Sequence, residues 1–228
     1  MITYRRANEQ DIDFIIEAVI AAEKSGTDRL SYASMFGLEL QQVTELLKNA
    51  ILEDIPGQEL ALSGFIIACV DNELAGTVCA WIEAAEGVSS AVLKANVLFY
   101  FLGAETIAKA AEKSKLIEPL NIPREAGTLQ IESVYVRNKF RGLGVSNKLI
   151  SEHIKDVLHL GDPVTKVQIH IAASNETALR SYEKLGFVTK ISKTCPDNKV
   201  LKFLPSDTRI MMELDISDLY KKGFIMSN

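Results

Sequence analysis

Residues 134–146 read Val134-Tyr135-Val136-Arg137-Asn138-Lys139-Phe140-Arg141-Gly142-Leu143-Gly144-Val145-Ser146. Before them, 128–136 alternate strongly (Thr-Leu-Gln-Ile-Glu-Ser-Val-Tyr-Val), which predicts a strand. After them, Leu149, Ile150, Ile154, Val157 and Leu158 recur at helical spacing and predict a helix over about 145–159. The loop between carries three cations and two glycines at the helix N-terminus. Glycine allows positive φ and close backbone approach, and the unpaired N–H groups of a first helical turn point outward with the dipole behind them. Successive N–H groups of this kind form a nest for a phosphate or pyrophosphate. A Walker A string, GxxxxGK(S/T), is absent, and Asn147 stands where a dinucleotide-binding fingerprint needs its third small residue. On its own the loop also fits a glycine-rich turn with solvated cations.

Working outward, residues 1–7 predict a first strand. Asn8 reads as an N-cap, and Ile12, Ile15, Ile16, Val19 and Ile20 predict an amphipathic helix to about Lys24. A polar stretch containing Gly26, Ser31, Ser34 and Gly37 leads to a second helix, about 38–52, ended by Pro56 and Gly57. Strands are predicted at 64–70 and 74–83, joined by Asp71-Asn72, two residues that tolerate the left-handed turn of a hairpin. The stretch 84–127 reads as two helices broken near Gly103. A strand over 167–172, a helix over 175–185 closed by Gly186, and strands over 187–192 and 209–215 complete the pattern, with a frayed tail after Tyr220. The order implies a mixed-sheet α/β fold.

Composition bounds the function. The chain has 228 residues, 47% hydrophobic and 24% charged, with a formal net charge of −5. This is globular usage, and it disfavours a broad basic face for nucleic acid. The apolar run around Val97–Leu102 is far short of the ~20 residues of a membrane span, and Met1–Arg6 has no apolar h-region behind it. Cys69, Cys79 and Cys195 form no CxxC pair and read as buried thiols of a reducing cytoplasm. His153, His159 and His170 lack metal-ligand spacing, so no metal is expected.

A second segment, Ala173-Ser174-Asn175-Glu176-Thr177-Ala178-Leu179-Arg180-Ser181-Tyr182-Glu183-Lys184-Leu185-Gly186-Phe187, follows the loop at a set distance. Arg141-x-x-Gly144-x-Ser146 resembles the (Q/R)-x-x-G-x-(G/A) acyl-CoA loop of the GNAT superfamily of acyl-CoA-dependent N-acyltransferases. The second segment is similar to that family's N-x-x-A-x-x-x-Y-x-x-x-G-F run. The likeness is sharp over 128–190 and consistent in layout over 1–83. Ser146 departs from the usual Gly or Ala, and the 84–127 insertion replaces a short turn.

The resemblance implies a GNAT-like fold, a mixed and mostly antiparallel sheet whose central strands splay. It implies one N-acetyltransferase domain over 1–228 with a helical insertion at about 84–127. Acetyl-CoA would lie with its pantetheine arm against the backbone of Val134 and Val136. Its pyrophosphate would sit on the N–H groups of Phe140 to Ser146 (Arg141, Gly142, Leu143, Gly144, Val145, Ser146), and Asn175 and Ala178 would contact the arm. Tyr182 would stand near the cofactor sulfur as an acid, or else pack. Glu132, costly in a central strand unless solvated or paired, would accept the proton of an acceptor amine, or else be structural. His170 is an alternative base. The activity implied is acetyl transfer to a small-molecule or peptide primary amine. The alternatives are a non-catalytic acyl-CoA-binding or sensing module, or an interaction protein using the apolar 91–102 helix as a homodimer or other partner surface. The acceptor pocket is expected from 25–40, 84–127 and the late strands, with Phe99 and Phe101 on the inner face of the insertion.

Overall fold

The computed structural model describes residues 1–221. Among them, β1 (Ile2–Arg6), β2 (Phe65–Val70), β3 (Glu73–Ile82), β4 (Leu129–Val136), β5 (Lys166–Ala172), β6 (Val188–Thr194) and β7 (Thr208–Asp215) form one seven-stranded sheet in the order β1-β2-β3-β4-β5-β7-β6. Only β4 and β5 run parallel; the other neighbours are antiparallel. At the β2–β3 hairpin Asp71 and Asn72 have φ 48° and 67°, the left-handed pair a two-residue turn of this hand requires.

Helices cover both faces. On one lie α1 (Ile12–Lys24), α2 (Ser31–Phe36), α3 (Leu40–Leu52) and α4 (Ser90–Ile117), whose apolar residues join Phe65, Ile67, Cys79 and Trp81. On the other, α5 (Val145–His159), α6 (Glu176–Leu185) and α7 (Ile216–Lys221) close over Val78, Ala80, Leu129, Ile131 and Ile169. The polar stretch after α1 holds a helix the sequence did not announce, α2, which buries Tyr32 and Met35. Of the frayed tail expected after Tyr220, Lys221 closes α7 and the rest lies outside the described residues.

The insertion is two helical halves meeting at Gly103, whose φ 75° and ψ 165° no helix accommodates. By length and composition alone, Ser90–Leu120 is apolar enough to cross a membrane. Here the break at Gly103 divides it, and its inner side packs on α2 and α3. Buried Glu83 holds its start, accepting from the Ser90 N–H and the Trp81 indole, both at 3.0 Å. Near its end Lys113 donates to the carbonyls of Ser34 and Met35, satisfying the C-terminus of α2.

One irregularity positions everything that follows. Between the pairs Thr77–Tyr135 and Cys79–Glu132, β3 spends one residue and β4 two. The extra residue is a β-bulge, with Ser133 at φ 53°. Parallel pairing of β4 with β5 stops at Ile131–Ile169, and the strands then separate, the splay the family resemblance implies.

His153 of α5 is buried beneath the bulge, with Nε2 donating to the Val78 carbonyl at 3.2 Å. A carbonyl only accepts, so Nε2 carries the proton. Burial pushes this imidazole down to about 3, opposed by that bond and aided by Arg6. The unfolded chain therefore binds a proton here below pH ~6.5 that the folded chain refuses, and stability falls as pH drops from there toward about 3. His153→Gln keeps a donor and cannot titrate. Denaturation between pH 7 and pH 4 should show a slope reduced by up to ~1.4 kcal/mol per pH unit relative to the parent chain. An unchanged slope would mean that other groups govern acid stability.

Candidate active site

Beyond Ile131 and Ile169 the facing edges of β4 and β5 carry backbone groups without a strand partner. At the far end of this gap, α5 begins at Gly144, which has φ 73° and supplies no side-chain cap; Gly142 has φ 81°. Among the described residues, none of the N–H groups from Gly142 to Asn147 donates to a protein acceptor. A Cβ at either glycine would meet open space, so glycine is needed there for its dihedrals. Phe140 is buried and anchors the loop, while Val145 enters the core. The Arg141 and Lys139 side chains lie at the surface.

Two expectations are corrected here. The Phe140 and Arg141 N–H groups are spent on Arg137 and Asn138, so the free donors begin at Gly142. The Val136 carbonyl is taken by Arg141 Nε at 3.2 Å, leaving Val134, beside the bulge, as the freer backbone on this edge.

A cleft of about 620 Å3 runs through the gap. Glu132, Ser133 and Val134 line one side; His170 and Ala172, with Asn175, Ala178 and Tyr182 of the α6 segment, line the other. Asn175 caps α6, its Oδ1 accepting from the Ala178 N–H at 3.2 Å. Tyr182 is buried against Phe187, with ring centroids 5.9 Å apart. Burial pushes its phenol well above the ordinary value, and Glu132 adds to the rise, so it stays protonated at neutral pH.

The insertion enters this cleft directly. Arg124 Nη2 donates to Glu132 at 2.7 Å and approaches Glu59 at 3.3 Å, while Lys94 of α4 pairs with Glu59. Trp81 lies under the Arg124 guanidinium and Tyr32 under the Lys94 ammonium, each at 5.1 Å. Burial alone would raise Glu59, but Lys94 and Arg124 outweigh it and hold the carboxyl near the bottom of its range, about 2. Glu132 has only a share in Arg124. Burial pushes it up to about 7, Arg124 opposing and Glu59 adding to the rise. The two carboxylates titrate as a pair in which Glu59 keeps the charge.

Of the residues expected from sequence, Glu132, Val134, Asn175, Ala178 and Tyr182 line the cleft; Val136 and 141–146 do not, and lie where β4 ends and α5 begins. Phe99 does not: it is 54% exposed on the outer side of α4, with Tyr100. Phe101 packs into the α1–α4 core, and it is Lys94 and Leu98 of α4 that face the cleft. Sequence reasoning missed Glu23, Glu59, Lys94, Arg124 and Arg209, all of which line it. Charged residues bordering apolar runs were the only signal. Among the described residues, no group of three or more His, Cys, Asp and Glu is placed to hold a metal.

The model of the Acetyltransferase (GNAT) family matches residues 40–187. No curated protein matches the sequence significantly. Among solved structures, an N-acetyltransferase from Staphylococcus aureus Mu50 aligns with a TM-score of 0.63 at 18% identity, covering 93% of this chain and 100% of its own. An aminoglycoside acetyltransferase in complex with coenzyme A aligns at 0.52 and 18%, covering 98% and 99%. An agmatine N-acetyltransferase aligns at 0.55 and 14%, covering 94% and 99%. At these identities the likeness is one of fold; the family match spans more than half of the sequence and takes in the strand, loop and helix that border the gap. The chain belongs to the GNAT family of acetyltransferases.

Proposed function

We propose that this protein transfers an acetyl group from acetyl-CoA to a primary amine by direct attack within a ternary complex. The observation that carries the reading is the parting of β4 and β5 beside the run of free N–H groups from Gly142 to Asn147, with Glu132 and Tyr182 lining the cleft between them. Unpaired strand edges accept an amide-bearing arm as a further strand would be accepted. The loop's N–H groups and the α5 N-terminus suit a pyrophosphate, with Arg141 adding charge. When bound, acetyl-CoA supplies the acetyl thioester.

The chain's own residues then manage two protons. An amine with pKa near ~10 is protonated at neutral pH and must lose a proton before it can attack. Glu132, raised toward neutrality inside the cleft, is matched to that task. The nitrogen lone pair forms the new bond to the acyl carbon as the carbon–sulfur bond breaks; Tyr182 donates to the departing sulfur, and the second proton, shed by the acylated nitrogen, restores the phenol. The Arg124 ion pair orients Glu132 without fully neutralising it, since Glu59 competes for the same guanidinium.

Acetyl-CoA at about 100 times its Kd should stabilise the fold by roughly 2.7 kcal/mol, a Tm rise of about 5–10 °C. Arg141→Glu should remove most of that shift. No shift at millimolar acetyl-CoA would overturn the reading, and binding without thiol release across a broad amine panel would favour a non-catalytic acyl-CoA-binding module.

If Glu132 is the base, kcat/KM should fall about tenfold per pH unit below about 7. Glu132→Gln should cut the rate at pH 7 by about 10²–10⁴ and recover at high pH, where solvent deprotonates the amine. Tyr182→Phe keeps the ring packed on Phe187 and removes only the hydroxyl. A loss under threefold would leave Tyr182 as packing.

A further inference from the structure

The cleft is not an acidic trap. Three carboxylates, Glu23, Glu59 and Glu132, line it together with three cations, Lys94, Arg124 and Arg209. Glu59 takes both Lys94 and Arg124. Arg209 stands on β7 opposite Ala172, at the end of β5 where β4 has parted from it. Half-buried, its side chain makes no ion pair or hydrogen bond among the described residues, although Glu23 and Glu59 both feel its charge.

Unmet hydrogen-bonding capacity gathers at the same place. Tyr32 Oη, Arg124 Nε and His170 Nε2 are buried without partners, and all three residues line this cleft. An orphaned buried polar atom is costly to the fold unless a ligand partners it. Arg124 Nε can only donate, so an oxygen acceptor satisfies it and an ammonium cannot. His170 is pushed down to about 3, first by burial and then by Arg124 and Arg209, with Glu59 opposing, so it is neutral. Tyr182, on the same cleft, feels the charge of Glu132. Glu132 on β4 and Arg209 on β7 therefore stand on either side of β5, an anion and a cation facing one cleft.

We infer that the acceptor is an amino carboxylate: its amine lies by Glu132 and Tyr182, and its own carboxylate is held by Arg209 beside His170. The inference rests on the acetyl-transfer reading and narrows it to one substrate class. A diamine or polyamine would place its second ammonium against Arg209 in a half-buried cleft, like charge on like. A charge-assisted bond between guanidinium and carboxylate in such a site separates the matched substrates by about 10- to 100-fold.

The test is acetyl transfer, followed by thiol release, to matched acceptors that differ in one group. The panel takes α-, β-, γ- and longer amino carboxylates, each beside its methyl ester and its decarboxylated amine, and includes diamines. The expected result is a kcat/KM at least tenfold higher for an amino carboxylate than for its ester and amine. In Arg209→Gln that preference should collapse, and Arg209→Lys should restore part of it. Equal or better turnover of esters, amines or diamines would overturn the proposal, as would a preference that survives Arg209→Gln. So would failure of every amino carboxylate. The acetyl-CoA-induced Tm shift, measured on the same protein and on each variant, separates these outcomes from failure of the acetyl-transfer reading. It also reports whether each variant is folded.

Discussion

Beyond Ile131 and Ile169 two central strands stop bonding to each other in the middle of the sheet. Backbone donors and acceptors in such a place are obligatory bonding groups, and leaving them unmade is costly. The cost is enforced by the bulge. Ser133 in a left-handed conformation, strained by roughly 1–3 kcal/mol, adds the residue that turns β4 away. The strain persists because both sides are over-determined: His153 holds the Val78 carbonyl from one face, and Arg124 holds Glu132 from the other. A sheet built only for stability would zip these edges closed; this one keeps them open beside a run of free N–H groups.

The insertion completes what the gap begins. Its first half delivers Lys94 to Glu59, and the segment after its second half delivers Arg124 to Glu59 and Glu132. Its end joins a small separate core of Leu120, Cys195, Val200 and Leu204, while Ser34 of α2 donates to the Phe203 carbonyl. The insertion, α2 and the β6–β7 connection thus line one cleft together. One consequence is a division of labour within the site. The strand–loop–α5 unit and α6 are suited to the donor, and the insertion, α2 and the β6–β7 connection, with β7, set the shape and charge that an acceptor meets.

How much of this could be read in the sequence follows from range. Alternation and helical spacing are local, so the strands, the Asp71-Asn72 hairpin, the break at Gly103 and the helix after Gly144 were all legible. The pair of motifs that carried Glu132, Asn175 and Tyr182 to one place was legible as a resemblance. Helix α2 was not: six residues are too few to show a period, and its burial of Tyr32 and Met35 depends on α4 lying across it. The inner face of α4 was misread at Phe99 because the helix is apolar on several sides, and only the fold decides which side is in. The Glu59–Lys94 and Glu59–Arg124 pairs span 35 and 65 residues, and no local pattern announces such partners.

Those charges also bear on why the cleft is polar at all. A buried ion pair is often no better for stability than well-packed apolar side chains of the same volume, because desolvating both partners offsets their attraction. An apolar filling around Trp81 and Tyr32 could hold the insertion on the sheet as well as Lys94 and Arg124 do. What it could not do is create asymmetry between two carboxylates. With two cations drawn to Glu59 and one shared onward, Glu59 is fixed as an anion, while Glu132 is left short of a full partner in a site that burial makes hostile to its charge. A carboxylate with no cation there would be neutral and inert as a base. One with a guanidinium to itself would be held too low to take a proton near neutral pH. Sharing one guanidinium between the two places Glu132 between those limits, and the group that does the sharing comes from the insertion.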